Sequence, residues 1–379
     1  MINMTVRWGE RFVDINFPCG DDFLTKRLMM LDVPGDLPTD AYVLCVNKPK
    51  ALACLEDKIL NMDEINFLAK RMSSFDAREM RQFMAAAQHE QMCNPKDLIN
   101  LTYSLSRYTV VQDLSSMAAI GKQHLLNLNG YLTTEQQLST DFETIGRNLV
   151  RNNIGVVTEH GLLFKNDTVP FQQEYDGQNF PYFEHEESLL TAEMQFDGKS
   201  EFLYMPCDAY AIAKAAERLG AAPGEYSVSL CDFAVDSKSW YDRLRGILEE
   251  EGIFAVNRVC HAINVADLDW ADLETVMQYA DRSDSDAIVA LAGHIDDFIV
   301  IPGIYEDNEV AEFFLENVFD CELPAVLEEY LDMCDFGEYL IKQREGKFTE
   351  EGFVCMEAGC SLQEILGMDD QTETQTMQL

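Results

Sequence analysis

The sequence predicts an α+β fold built as two tandem, duplicated, elongated modules, each a small sheet and helix subdomain followed by acidic helices. Three observations carry this expectation. Short segments of alternating apolar residues are interleaved with stretches whose apolar residues recur every three to four positions, the marks of strands and of amphipathic helices. A set of residues recurs at offsets of 188 to 191 positions along the chain. The acidic side chains are concentrated in the second half.

Length and composition bound the rest. At 379 residues, with 47% hydrophobic side chains, the chain can bury two cores, and this apolar content argues against disorder as the origin of its net charge of −39. A pI of about 4.3 excludes a basic surface for nucleic acid or an anionic membrane. Asn3, Arg7 and Glu10 interrupt the opening residues and no long uncharged stretch follows, so neither a signal peptide nor a membrane span is expected and the chain reads as cytoplasmic. The 11 cysteines include no C-x-x-C pair, which indicates neither a disulfide framework nor a zinc ribbon; Cys355 and Cys360 are expected as buried or free thiols.

The repeat sets the domain organisation. Gly146, Leu149, Gly155, Thr158, Glu159 and Gly161 reappear as Gly337, Leu340, Gly346, Thr349, Glu350 and Gly352, all 191 positions later. Nearer the module starts, Pro18-Cys19 matches Pro206-Cys207, and Pro34-Gly35 matches Pro223-Gly224. The expected layout is a first, weakly acidic module over 1–165, a connector over 166–199, a second, strongly acidic module over 200–365, and a disordered tail over 366–379. The connector holds Pro170, Pro181 and the run Glu184-His185-Glu186-Glu187; His185 among three glutamates has the donors of a metal site, with a solvated loop the expectation.

Within the first module, Phe12 to Phe17 alternates as a strand with Val13, Ile15 and Phe17 on one side, and Tyr42 to Val46 is a second strand. Asp22 to Leu31 reads as a helix closed by a Pro-Gly turn. Ile65, Leu68, Ala69 and Met72 share a helix face, and the next helix opens with Asp76 as N-cap, Glu79 at N3 and a staple of Phe75 on Met80. The second module matches with a helix over Ala209 to Leu219, a strand over Tyr226 to Leu230, a helix over Trp270 to Ala280 and another from about Ala287.

The last two predicted helices carry the charge. Over Asp307 to Asn317, Val310, Phe313 and Phe314 are apolar while Glu309, Glu312 and Glu316 form a stripe; over Pro324 to Asp335, Leu327, Leu331 and Cys334 face inward while Glu328, Asp332 and Asp335 form another. Residues 261 to 340 hold 21 acidic side chains and one basic one, Arg282, whereas residues 1 to 160 hold 20 acidic and 16 basic. Like charges four apart on a helix cost roughly 0.2–0.5 kcal/mol per pair, so a repeated one-sign stripe calls for a function that offsets it. Drawn as one straight helix these 80 residues would span about 120 Å, and folded once they would carry one charge per roughly 3 Å, near the phosphate spacing of a DNA strand. A calcium loop of the D-x-[DN]-x-[DN]-G type is absent, and carboxylates spread this evenly do not converge on a metal.

The stretch Leu327-Glu328-Glu329-Tyr330-Leu331-Asp332-Met333-Cys334-Asp335-Phe336-Gly337-Glu338-Tyr339-Leu340 resembles the antirestriction motif of the ArdA family, at Leu327, Tyr330, Leu331, Asp332, Gly337 and Leu340. The similarity extends to Asp297-Phe298-Ile299-Val300, to Gly346-Lys347-Phe348-Thr349 and to Gly224-Glu225-Tyr226-Ser227-Val228, covering most of 200–360. The family consists of acidic mimics of bent duplex DNA that occupy the DNA-binding site of type I restriction-modification enzymes. The resemblance implies a DNA-mimic face comprising Asp296, Asp297, Glu306, Asp307, Glu309, Glu312, Glu316, Glu322, Glu328, Glu329, Asp332, Asp335 and Glu338. It further implies a DNA-binding defence protein as partner, no cofactor, no metal, no catalytic residues, no direct nucleic-acid binding and no membrane contact. Family members dimerise, which leaves open a homodimer or a pseudo-dimer of the two modules within one chain. The first module departs from the family at Leu138 to Leu149, which lacks the Tyr-Ile/Leu-Asp step.

Two other classes compete. An enzyme would need a catalytic constellation, and the six histidines fall in no H-E-x-x-H, nucleophile-elbow, phosphate-loop or dinucleotide context. The same acidic face would also serve an inhibitor of another defence system, such as a CRISPR effector, or an acidic protein-binding scaffold.

Overall fold

The computed structural model describes every residue except Glu186, Pro223, 267–269, 321–329 and 368–379. The fold is α+β, as the sequence predicts, with several small sheets distributed over two units, Met1–Ser229 and Leu230–Leu379.

The first unit opens with β1 (Ile2–Trp8) and β2 (Arg11–Phe17), followed by α1 (Asp21–Met30), β3 (Asp40–Lys48) and β4 (Lys58–Asn61). The strands form one sheet in the order β2-β1-β3-β4. Alternation sorts β2 as expected: Ile15 and Phe17 are buried while Asp14 and Asn16 are exposed. Three helices close over the core, α2 (Met62–Ser73), α3 (Ala77–His89) and α4 (Pro95–Thr102). The face of α2 bearing Ile65, Leu68, Ala69 and Met72 is buried, and α3 starts on the expected capping box, where the Asp76 carboxylate accepts from the Glu79 amide at 2.7 Å and the Glu79 carboxylate from the Asp76 amide at 3.0 Å. Next come β5 (Tyr108–Val111), α5 (Met117–Asn129), α6 (Thr134–Ser139), α7 (Phe142–Asn152), β6 (Val156–Thr158) and β7 (Gly161–Lys165), with the sheet ordered β5-β7-β6.

Residues 166–188, expected as a connector, have no regular secondary structure among those described, yet they are part of the core: Tyr175, Phe180 and Phe183 are buried and Phe180 stacks on Phe67 of α2 at 4.5 Å. The chain then forms β8 (Leu190–Phe196), β9 (Lys199–Met205) and α8 (Ala209–Leu219), and β10 (Ser227–Phe233) completes a sheet ordered β10-β8-β9. Residue 200, expected as the start of the second module, lies inside β9 of a hairpin that begins at Leu190, and residues 200–229 belong to the first unit. They are tied into it by charge. The fully buried Lys214 ammonium lies 2.6 Å from Asp63 of α2, and the Arg218 guanidinium holds the buried Glu201 carboxylate in a two-pronged contact of 3.0 Å each.

The second unit contains α9 (Lys238–Glu250), α10 (Ile253–Ala266), α11 (Trp270–Ala280), α12 (Ser285–Gly293), β11 (Phe298–Pro302), α13 (Asp307–Phe313), α14 (Met333–Gln343), β12 (Lys347–Phe348), β13 (Gly352–Met356) and α15 (Leu362–Gly367). Its sheet is ordered β11-β13-β12. Ile301, Val310, Phe314, Leu340, Phe353 and Cys355 form the core beneath it. As in the first unit, a strand is followed by helices, a short strand and a strand, and β5, α7 and β7 have counterparts in β11, α14 and β13 at offsets of 190 to 191.

The residues identical in the two halves do structural work. A side chain on Gly146 would overlap the carbonyl of Met117, and one on Gly337 the carbonyl of Asp307, so each glycine lets two helix backbones cross in contact. Leu149 and Leu340 are buried one turn further on. The hydroxyls of Thr158 and Thr349 donate to the carbonyls of Gly161 and Gly352 at 2.8 and 2.9 Å, closing the β6–β7 and β12–β13 turns.

Three expectations for the acidic helices are corrected. The helix expected over Asp307 to Asn317 is α-helical only to Phe313 and continues as a π turn over Phe314–Val318, which rotates Glu316 off the stripe drawn through Glu309 and Glu312. Of the helix expected over Pro324 to Asp335, residues 324–329 lie outside the described residues, and Asp332 is the non-helical N-cap of α14, so Asp335 lies in a first turn rather than a last one, and Cys334 is exposed. The described residues of 261–340 are divided among short helices and a strand, so a spacing based on one rod or one hairpin does not describe them.

Candidate acidic interface

The crossing of α13 over α14 gathers carboxylates from two helices. With Gly337 seated on Asp307, the side chains of Asp335 and Glu338 flank the crossing on α14 and that of Asp307 opens α13. Lys342 is the cation at this place: its ammonium lies 2.9 Å from Glu338, and that contact, with the charges of Asp307 and Asp335 nearby, raises its pKa.

The predicted face divides by role. Asp296, Glu306, Glu312, Glu316, Asp335 and Glu338 are exposed, and among the described residues all but Glu338 lack an ion-pair partner. Glu309 instead turns back to accept the amides of Tyr305 and Glu306 at 2.9 and 3.1 Å, stabilising the start of α13. Asp332 accepts the amides of Cys334 and Asp335 at 3.1 and 3.2 Å. Asp297 pairs with His294 at 2.8 Å. Glu322, Leu327, Glu328 and Glu329 lie outside the described residues.

Of the motif-like residues, Gly337 shapes the helix crossing, Leu340 is core, Asp332 is a cap and Leu331 is half-buried. Tyr330 is 82% exposed and is free to meet a partner.

Two features of this surface were missed from sequence. The turn Glu350-Glu351 lies beside the approach to α13: the Tyr305 hydroxyl donates to the Glu350 carbonyl at 3.2 Å and the Gly303 amide to the Glu351 carbonyl at 2.9 Å, adding two exposed carboxylates near Glu306. Large exposed aromatics, Tyr305, Phe319, Tyr330 and Tyr339, stand among the acids. The β12–β13 hairpin was the signal for the first, since it pairs back onto β11; no periodicity announced the second.

Elsewhere, His185 packs against the paired rings of Phe183 and Tyr204, each centroid 5.5 Å away, and burial lowers its pKa; this is an aromatic packing site rather than a solvated loop. No group of three His, Cys, Asp or Glu side chains converges in metal-binding geometry among the described residues. The ten described cysteines are free thiols; Cys355 is buried, which pushes its pKa up to about 12. Among the described residues no helix is long and apolar enough to cross a membrane. No protein-family model matches the chain, and no curated protein matches it in sequence.

Proposed function

We propose that the chain is an antirestriction protein whose second unit imitates duplex DNA and occupies the DNA-binding site of a type I restriction-modification enzyme, protecting incoming mobile DNA. The observation that carries this reading is the set of exposed carboxylates without ion-pair partners, Asp296, Glu306, Glu312, Glu316 and Asp335, on a surface where Lys342 is the cation and aromatic side chains stand exposed. An ordinary solvated face interleaves both signs to gain helix stability. A DNA-binding cleft is lined by lysines and arginines, so it and this surface are complementary in sign. The resemblance of residues 327–340 to the ArdA motif supplies the enzyme class.

The test is displacement of labelled duplex from a purified type I enzyme by the full chain at low salt. Release of duplex that weakens as salt rises is expected. No release at any protein concentration would overturn the reading, and release that is independent of salt would replace it with an apolar mode of inhibition. A CRISPR effector that loses its target DNA to this chain while the type I enzyme does not would transfer the same mechanism to that partner.

A further inference from the structure

Cys54 and Cys93 stand 39 positions apart in the sequence and meet in the fold of the first unit. Cys54 lies in a 3₁₀ turn, Lys50–Leu55, whose Leu52 and Leu55 are buried in the core on either side of it. Cys93 lies in the turn between α3 and α4. The Cys54 thiol donates to the Met92 carbonyl at 3.2 Å and is in hydrogen-bond contact with the Cys93 thiol. Both cysteines are half-buried, so the pair is shielded yet within reach of a small reagent.

The backbone around Cys93 is pinned from three directions. The Met92 amide donates to the Ala87 carbonyl at 3.1 Å and closes the end of α3, while the Asn94 side chain accepts the Asp97 amide at 2.8 Å and opens α4. The Lys58 ammonium of β4 holds the Cys93 carbonyl at 2.7 Å. The turn itself does not require sulfur. Asn94 caps α4 ahead of β5 as Asp284 caps α12 ahead of β11, which sets Ser283 at the place of Cys93. The second unit thus makes the corresponding turn without a thiol.

We propose that Cys54 and Cys93 form a reversible disulfide that clamps the 3₁₀ turn to the α3–α4 turn when the surrounding thiol–disulfide pool becomes oxidising. In the exchange one protein thiolate attacks a low-molecular-weight disulfide such as oxidised glutathione and expels one glutathione thiolate. The second protein thiolate then attacks the mixed disulfide and displaces the other. The S–S bond of the reagent is broken and one between the cysteines is formed. Two electrons pass from the cysteines to glutathione, and the two cysteine protons end on the released glutathione thiols. Burial, and then the neighbouring Cys93, push the Cys54 pKa up to about 11, so Cys54 reacts slowly with outside reagents at neutral pH while its partner is already in place. A crosslink across this separation restricts the unfolded chain, so the oxidised unit resists unfolding more than the reduced one. The inference is independent of DNA imitation, because both cysteines lie in the first unit and the proposed face lies in the second.

The test incubates the full chain, folded and reduced, with oxidised glutathione, alkylates the remaining thiols and maps the products by mass spectrometry. The expected first product is a Cys54–Cys93 crosslink, formed about tenfold faster than any other disulfide in the chain, with that preference lost in urea. The urea midpoint should rise by about 1 M on oxidation and return when dithiothreitol is added. Cys93→Ser keeps a small hydrogen-bonding side chain; in this variant Cys54 should form no crosslink, and the midpoint should not rise. Cys54→Ser gives the same reading from the other side should the first variant fold poorly. A first crosslink between any other two cysteines, such as Cys19 with Cys207, would overturn the proposal. So would the absence of any crosslink, or a Cys54–Cys93 bond that leaves the urea midpoint in place. No duplex enters the assay, so failure here is distinct from failure of the proposed function.

Discussion

The main-chain carbonyl of Asp307 occupies the position that a side chain on Gly337 would need. The acidic helices therefore meet backbone to backbone, and the carboxylates of Asp335 and Glu338 are brought up to that of Asp307 by the same crossing. Gly146 stands in the same relation to Met117 in the first unit.

Replacing either glycine by alanine should thus separate helices. Gly337→Ala and Gly146→Ala are each expected to cost about 3 kcal/mol, the upper end for overpacking against a rigid backbone, read from urea unfolding. Gly246 sits mid-helix in α9 with open space where a methyl would go, so Gly246→Ala should instead stabilise by about 0.5–1 kcal/mol.

Charge and capping separate at Asp332. Asp332→Asn keeps an acceptor for the Cys334 and Asp335 amides and should leave stability unchanged, whereas Asp332→Ala should lose about 1 kcal/mol of helix capping. Both remove the charge, so both should weaken duplex displacement alike; a difference between them would trace the effect to structure.

Neutralising the exposed acids Glu312, Glu316 and Asp335 together as Gln, Gln and Asn should leave the unfolding midpoint in place and weaken displacement roughly tenfold, at a few-fold for each exposed charge. An unfolded triple variant would show that these carboxylates hold the fold.

Lys342→Gln removes the cation at the helix crossing and frees Glu338. The pair is exposed, so little stability should be lost. Displacement of duplex at low salt should become stronger, and an unchanged competition curve would place the contact surface away from α14.

Stability should fall on mild acidification. Burial lowers the pKa of His124, whose ring nitrogen lies 2.7 Å from the Thr109 hydroxyl, below its ordinary value of 6.5; burial and then the Lys70 charge do the same to His185. The unfolded chain then takes up a proton more readily than the folded one, so this contribution is complete above pH 6.5 and is lost as pH falls below it. The urea midpoint should drop from pH 6.5 toward 5, and His124→Gln should flatten part of that drop.

Elements whose signals are local were legible in the sequence. The Asp76 capping box, the alternation in β2 and the limits of the helices Ala209–Leu219 and Trp270–Ala280 were each read from residues within a turn or two. The misreadings come from contacts between distant residues. Nothing near Phe180 announces that Phe67 will stack on it, so a core segment read as a connector; the turn of the Glu309 carboxylate back to the Tyr305 and Glu306 amides is local by contrast, and was hidden by placing Glu309 in a one-sign stripe. The acidic face was legible as composition; its division into caps, pairs and free charges depends on where each helix starts, and the π turn after Phe313 and the cap at Asp332 leave no periodic trace.

The burial of Lys214 against Asp63 decides where the chain can be cut. A fragment beginning at residue 200 would carry away the ammonium and leave its carboxylate enclosed in the remainder, together with an exposed hydrophobic seam where Phe180 and Phe183 had been anchored on one side only. Expression of the halves as separate polypeptides should therefore divide the gene after Phe233, where β10 ends just past the boundary between the units, and not within the polar stretch that looks like a linker.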